Sequence, residues 1–471
     1  KTNITSEVVF ETQQSDIDWE KLEKNTLIYS KRKIQDESKL FGRNEILNKL
    51  IRNAKSEFIE SYKLWGQKRV GKSSIALTFQ SLLQDQEDII VAYIEVSRNI
   101  DAESSLNELG QDLCREIKSQ IRKTDLSSKN ELLKVPIGEF RGSLRSLDIY
   151  LRDLRDIDDS LRFVLIIDEI DRLNNEFFLP GSFGETFSLA VGKKLNGYEY
   201  VGFILVGSEN IHLLDYQEIN YNSFNDQKID TFDLVDQYDD YKDIIVSPVE
   251  GQLLYSDEAI KLIHEITNGN PYFTNVICSE IFTICCKTRD AEVHTDKVEE
   301  AQMYLRKSQS KSAFAHFWDD GLTSESQEKR EKLSDIRRRI LVAFANSYKA
   351  SNQYPTANEI KRFFKYPSEY DIAKSEVQSA INNFFSRGIF DNTTSERIRI
   401  IPKIFEDWLC LGNGGTLIIE GVADLEAQLQ EIEFENSQRI QSEEIEKIVN
   451  QYSTQSSKIT TKRIKDYLAQ F

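Results

Sequence analysis

The sequence predicts an α/β fold in which a parallel sheet carries a phosphate-binding loop, followed by helical modules and a helical C-terminal tail. Three observations predict it. Short apolar runs at 61–65, 89–96, 163–167 and 201–206 read as buried strands, and strands alternating with helical patterns imply a parallel sheet covered on both faces. The first run leads into Gly66-Gln67-Lys68-Arg69-Val70-Gly71-Lys72-Ser73, a complete match to G-x-x-x-x-G-K-[ST]. Beyond it, helical periodicity at 259–267, 273–286, 335–348, 357–364 and 372–385 gives the chain a second, mostly helical half.

The loop comes first because its chemistry is the most specific. The residues 74–83 carry apolar side chains at helical spacing, so the loop joins a strand to a helix. Its glycines let backbone N–H groups close around phosphate oxygens, and the helix N-terminus adds partial positive charge beneath them. Lys72 is the residue expected to reach the β and γ phosphates, and Ser73, followed by Ser74 in the first turn, the one expected to ligate Mg²⁺.

The second strand feature is Phe163-Val164-Leu165-Ile166-Ile167-Asp168-Glu169, five apolar residues ending in two acids, the Walker B pattern. Asp168 is expected to hold Mg²⁺ through water and Glu169 to orient or deprotonate the attacking water. The run 201–206 ends in Gly207-Ser208-Glu209-Asn210. Ser208 and Asn210 stand where a γ-phosphate sensor would, and equally where a loop would cap the next helix.

Length and composition bound the rest. At 471 residues the chain exceeds one ordinary core and calls for two to four domains. A net charge of −18 repels nucleic acid and anionic membrane as a whole-molecule field. The five cysteines, Cys114, Cys278, Cys285, Cys286 and Cys410, show no C-x-x-C pair, which suits a reduced, cytoplasmic setting. No apolar run long enough to span a bilayer is present and no metal-ligand spacing joins the histidines, so neither a membrane partner nor a zinc site is expected. The sequence opens on Lys1 and stops at Phe471 within a helical pattern, as expected of a piece of something longer.

Leu40-Phe41-Gly42-Arg43-Asn44-Glu45 resembles the "F-x-G-R-x-x-E" segment that precedes the P-loop in AAA+-related ATPases. In the STAND class (signal-transduction ATPases with numerous domains) and in archaeal-type ATPases this segment lines the adenine pocket. Leu40 replaces the first aromatic and Glu45 comes one place early. Thr267-Asn268-Gly269-Asn270-Pro271-Tyr272-Phe273 resembles the G-x-P turn of the STAND helical lid. The three helical segments from 335 to 385, with 387–390 and 398–401 flanking a polar turn, read as a winged helix. The resemblance covers roughly 39–411 and implies a 37–246 NTPase core, a 247–325 helical lid and connector and a 326–411 winged helix. This leaves a 1–36 N-terminal extension, and the break at Gly412-Asn413-Gly414-Gly415 with helical periodicity over 424–452 reads as a 412–471 linker and helical tail. The resemblance places Phe41, Gly42, Arg43 and Pro271 beside the base or ribose, and residues Gly66 to Ser74 around the phosphates.

The function so implied is an ATP-binding switch that hydrolyses slowly, opens and self-oligomerises on exchange of ADP for ATP, and works with effector or sensor parts outside this stretch in prokaryotic signalling or anti-phage defence. No arginine finger is evident; the nearest candidate is Arg172. The alternative is a DNA-associated ATPase of the replication-initiator or transposition-helper kind. Lys329, Arg330, Lys332 and Arg337 to Arg339 form the densest basic cluster, and the interspersed acids favour salt bridges there over DNA contact. The aromatic segment Phe314 to Trp318 reads as a connector docked on a domain core.

Overall fold

The structure, a computed structural model, describes residues 17–24, 28–29, 32–96, 102–138, 144–170, 191, 195–209, 211, 224–320, 327–367, 371–393 and 395–418. Asn210, Arg172, most of the N-terminal extension and the tail from 419 lie outside the described residues.

The first half is an α/β sheet domain. In chain order it contains α1 (Asn44–Ala54), β1 (Tyr62–Trp65), α2 (Lys72–Leu82), β2 (Ile89–Glu95), α3 (Ala102–Lys123), α4 (Arg145–Ile157), β3 (Arg162–Asp168), β4 (Val201–Gly207) and β5 (Asn225–Lys228). The five strands are parallel, in the order β2-β3-β4-β1-β5. Period-two alternation builds its two layers. Along β3, Phe163, Leu165 and Ile167 point to the face covered by Leu113 and Ile117 of α3 and Leu147 and Leu151 of α4. Val164 and Ile166 point to the opposite face, under Leu47 and Leu50 of α1 and Ile75 and Phe79 of α2. Each fully buried side chain of this kind contributes about 1.5–3 kcal/mol over its exposed state.

Strand register sets the site. Glu95 pairs with Asp168, and Trp65 with Gly207, so the carboxyl ends of β1 to β4 share one rim. Because β4 lies between β1 and β3, the end of β4 stands between the loop after β1 and the acids after β3. The polar edge strand β5, Asn225-Asp226-Gln227-Lys228, is an addition to the expected strands.

The second half contains α5 (Tyr238–Val246), β6 (Leu254–Tyr255), α6 (Asp257–Thr267), α7 (Pro271–Thr288), β7 (Glu292–Val293), α8 (Thr295–Ser308), α9 (Gln327–Ser351), α10 (Ala357–Phe363), α11 (Lys374–Ser386), β8 (Phe390–Asn392), β9 (Ile398–Ile400) and α12 (Lys403–Cys410). Local chemistry starts its helices. Ser256 caps α6 by accepting from the Ala259 N–H, and Asn270 caps α7 by accepting from Tyr272 and Phe273, with Pro271 in the first turn. Thr356 and Glu359 form a capping box on α10. β8 and β9 are an antiparallel pair, the wing.

Lid and winged helix share one continuous apolar cluster. Phe273 of α7 stacks on Phe314 at 5.5 Å, and Phe314 meets Trp408 of α12 at 4.7 Å. The aromatic connector is thus docked in the joint between the two modules, as its sequence suggests. The helix α5, counted with the NTPase core in the sequence division, packs in this cluster, its Tyr241 hydroxyl within 3.0 Å of Thr267 and Thr274. Leu22 and Tyr29 from the N-terminal side join it too, and Tyr29 Oη donates to the Ile245 carbonyl at 2.6 Å. All five cysteines are free thiols and buried. Among the described residues no helix is long and apolar enough to cross a membrane.

Candidate nucleotide-binding site

The loop from Gly66 to Gly71 turns from β1 into α2, and Gly71, at φ 99°, precedes the first helical residue Lys72. Lys72 Nζ donates to the carbonyls of Gly66 at 2.8 Å and Gln67 at 2.6 Å. A cavity of about 1050 Å³ opens over this loop, just above the roughly 300–1,000 Å³ usual for small-molecule sites. Of the residues singled out in the sequence, Phe41, Arg43, Lys68, Arg69, Val70, Gly71, Lys72, Ser73, Ser74, Asp168, Glu169, Ser208 and Pro271 line it. Gly42, Gly66 and Gln67 are absent from that lining. Glu169 has φ 57°, the sparsely populated left-handed region for a side chain of its size, directly after Asp168.

Asp168 is 2 % exposed and its carboxylate is engaged on several sides. Tyr93 Oη donates to Oδ2 at 2.5 Å, Lys33 Nζ lies 3.3 Å from the same oxygen, and the Glu169 N–H donates to Oδ1 at 2.9 Å. Lys33 also reaches Glu95 at 2.7 Å. Burial acts to lower the Lys33 pKa, yet the hydrogen bond to Glu95 and the charge of Asp168 outweigh it and hold the ammonium above its ordinary value. The Tyr93 phenol is pushed far up, first by burial and then by Asp168.

Behind the loop stands Phe232, 2 % exposed, in the segment after β5. Arg43 lies 4.0 Å above its ring and donates to the carbonyls of Val70 at 3.2 Å and Asp230 at 2.6 Å. Burial brings the Arg43 guanidinium down to about 10, with Asp230 and Asp240 opposing. Gly42 (φ 65°) and Gly269 (φ 65°) are both pressed against Phe232: a Cβ would fall 2.3 Å from the ring at Gly42 and 1.9 Å from the Phe232 carbonyl at Gly269. Any side chain at either place would push the F-G-R segment and the lid turn off this residue. Phe232 therefore joins the two motifs that the sequence presents separately.

The opposite side of the loop meets the helical half through polar groups. Gln67 Nε2 donates to the Arg387 carbonyl at 2.6 Å, and Lys68 is paired with Asp320. Arg69 donates to the carbonyls of Ala313 and Ser312 and lies 4.0 Å above the Tyr272 ring. Arg387, just after α11, pairs with Glu209 at 3.1 Å and donates to the carbonyls of Phe317 and His316. Burial raises the Glu209 carboxyl, with Arg387 opposing. His316 is driven well below the usual histidine range, first by burial and then by Arg69, Lys68, Arg387 and Lys72.

Lys33, Tyr93, Phe232, Glu209 and Arg387 were not among the residues picked from sequence. Tyr93 and Glu95 had a usable signal, since they end a legible strand on the ligand-facing rim. Lys33, Phe232 and Arg387 had none.

Sheet order, loop and lid together define a P-loop NTPase fold of the AAA+-related kind. Among solved structures the chain is similar to a Walker-type ATPase of Pyrococcus abyssi, at 19 % identity and TM-score 0.50, covering 81 % of this chain and 99 % of that one. It is also similar to the ORC2 protein of Aeropyrum pernix, described in ADPNP–ADP complexes, at 13 % identity and TM-score 0.52, covering 84 % and 98 %. No family model matches the sequence, and no curated protein matches it.

Proposed function

We propose that the chain is a Mg²⁺-dependent, slowly hydrolysing ATPase that acts as a nucleotide-gated switch of the STAND type. The observation that carries this reading is that the phosphate loop is also the joint between the two halves: Gln67, Lys68 and Arg69 all bond to the lid connector or the winged helix. A loop that must reshape around a triphosphate is thereby tied to the element whose position would change.

In this reading the loop amides and Lys72 receive the phosphates, the ammonium exchanging the Gly66 and Gln67 carbonyls for phosphate oxygens. The adenine lies toward Phe41 and Pro271, which line the cavity beside Tyr272 and Pro248. Ser73 and Asp168 offer hard oxygen donors in the same cavity, and Asp168 already draws a cation, the Lys33 ammonium, so the donor set fits Mg²⁺. When bound there, Mg²⁺ would neutralise charge between the β and γ phosphates. Glu169 orients or deprotonates the attacking water, and Ser208, at the end of β4, reports on the γ-phosphate. Self-assembly after opening, with effector or sensor parts elsewhere and a role in prokaryotic signalling or anti-phage defence, follows from the STAND resemblance.

Against the DNA-associated alternative stands the use made of the basic cluster. Arg337 donates to the carbonyls of Trp318 and Asp320 and to Asn383, Arg339 pairs with Asp335, and Lys332 pairs with Glu376. The test is to identify the nucleotide released from purified protein and to measure mass before and after ATP. Bound ADP and growth in mass support the switch. Tight DNA binding that weakens steeply with salt, without growth, supports the alternative.

A further inference from the structure

The segment 32–36 crosses the rim of the cavity as a strap. Its Ile34 N–H donates to Ser74 Oγ at 3.1 Å, and Thr78 Oγ1 reaches the Ile34 carbonyl at 3.5 Å, both on α2. The residue before it, Lys33, places its ammonium on three oxygens: Glu95 Oε2 at 2.7 Å, Asp168 Oδ2 at 3.3 Å and Tyr93 Oη at 3.4 Å. These oxygens come from the adjacent ends of β2 and β3, where register sets Glu95 opposite Asp168. Such a cluster of two carboxylates and a phenol is cation-binding chemistry, and the cation seated on it belongs to the chain itself. A divalent ion held at Asp168, directly or through water, and an ammonium on the same carboxylate repel each other, so occupancy by one weakens the hold of the other. Lys33 is 39 % exposed and can withdraw into solvent, whereas Asp168, 2 % exposed, is held in place by the Tyr93 hydroxyl and the Glu169 N–H.

We propose that Lys33 is a tethered cation competing with the divalent metal for the Tyr93–Glu95–Asp168 oxygens, so that metal loading of the nucleotide site is coupled to release of the 32–36 strap from α2. The proposal rests on the reading of Asp168 as the metal-side acid of a nucleotide site. It makes the strap a sensor of metal-nucleotide as distinct from bare nucleotide, because a nucleotide without its metal leaves Lys33 on Asp168.

The experiment uses the full chain and Mn²⁺ alone, followed by loss of the free-ion paramagnetic resonance signal. Lys33→Ala is expected to bind Mn²⁺ at least about tenfold more tightly than wild type, and Lys33→Arg to bind like wild type. Adding Asp168→Asn to Lys33→Ala is expected to abolish the gain. In wild type, hydrogen exchange over 32–36 is expected to quicken with Mg²⁺ and nucleotide and to stay slow with nucleotide in EDTA. Equal Mn²⁺ affinity of wild type and Lys33→Ala, with matching circular dichroism and melting, overturns the proposal. So does a gain that survives Asp168→Asn. Binding of a fluorescent ATP analogue in EDTA, lost in Lys72→Ala, tests the nucleotide reading separately, so failure of either idea is recognised without the other.

Discussion

The sheet domain and the lid–wing unit are held together internally by the same force and to each other by a different one. Inside each, large apolar side chains are fully buried: Phe163, Phe203 and Phe79 in the sheet layers, Trp318, Trp408 and Phe273 in the helical half. Between them, on the side of the phosphate loop, the contacts are polar: Lys68 with Asp320, Arg387 with Glu209, Gln67 with the Arg387 carbonyl. Apolar burial is lost outright when two surfaces part, whereas polar groups recover most of their energy from water. A joint of this kind can open while both bodies stay folded. Phe232, gripped by Arg43 and the lid turn, is an apolar contact between the two, with Phe41 packed on the same cluster.

The strongest way to test this difference is to damage one body alone. Trp408→Ala removes a fully buried ring whose Nε1 donates to the Gln309 carbonyl at 3.0 Å, and should cost about 3–5 kcal/mol. Hydrogen exchange should then show the lid–wing unit opening ahead of the sheet; simultaneous loss of protection in both would mean that they are one cooperative body. Next in size, Lys72→Ala should weaken ATP binding by about 1.5–3 kcal/mol in calorimetry, the range for charge-assisted hydrogen bonds, with little change in melting.

The polar joint itself should respond more weakly. Arg387→Met, which leaves Glu209 partly buried and unpaired, should cost about 1–2 kcal/mol and enlarge the particle in small-angle scattering without altering the protection of the sheet. An unchanged radius would show that the pair does not hold the halves together. The smallest effect is a pH dependence. His316 stays neutral in the folded protein below the pH at which an unfolded histidine takes up its proton, near 6.5. Its contribution is therefore complete above that pH and is lost as pH falls beneath it, by roughly 1 kcal/mol over the first unit. His316→Gln should flatten the acid limb of a denaturant-midpoint series between pH 6.5 and 5.5.

How much of this was legible follows from where the information resides. The strands β1 to β4 are apolar runs because both of their faces are covered, so composition alone reveals them. β5 is polar and has no such signature; it forms because β1 offers an unpaired edge. The helices α6 and α7 and the three helices of the second module were readable from periodicity, and the wing from two runs flanking a polar turn. That lid and winged helix share a core was not, since Phe273, Phe314 and Trp408 meet across long stretches of chain.

By itself the sequence determined the phosphate loop, the paired acids and the class of fold, because a phosphate cradle is made of consecutive amides and a buried strand of consecutive apolar residues. Only the tertiary structure decided that Lys33 sits on Asp168, 135 residues away, that Arg387 reaches Glu209 across 178, and that Gly42 and Gly269 close on one phenylalanine. Such pairings depend on which strand ends and helix ends share a rim, and strand order and packing set that, not any local pattern of residues.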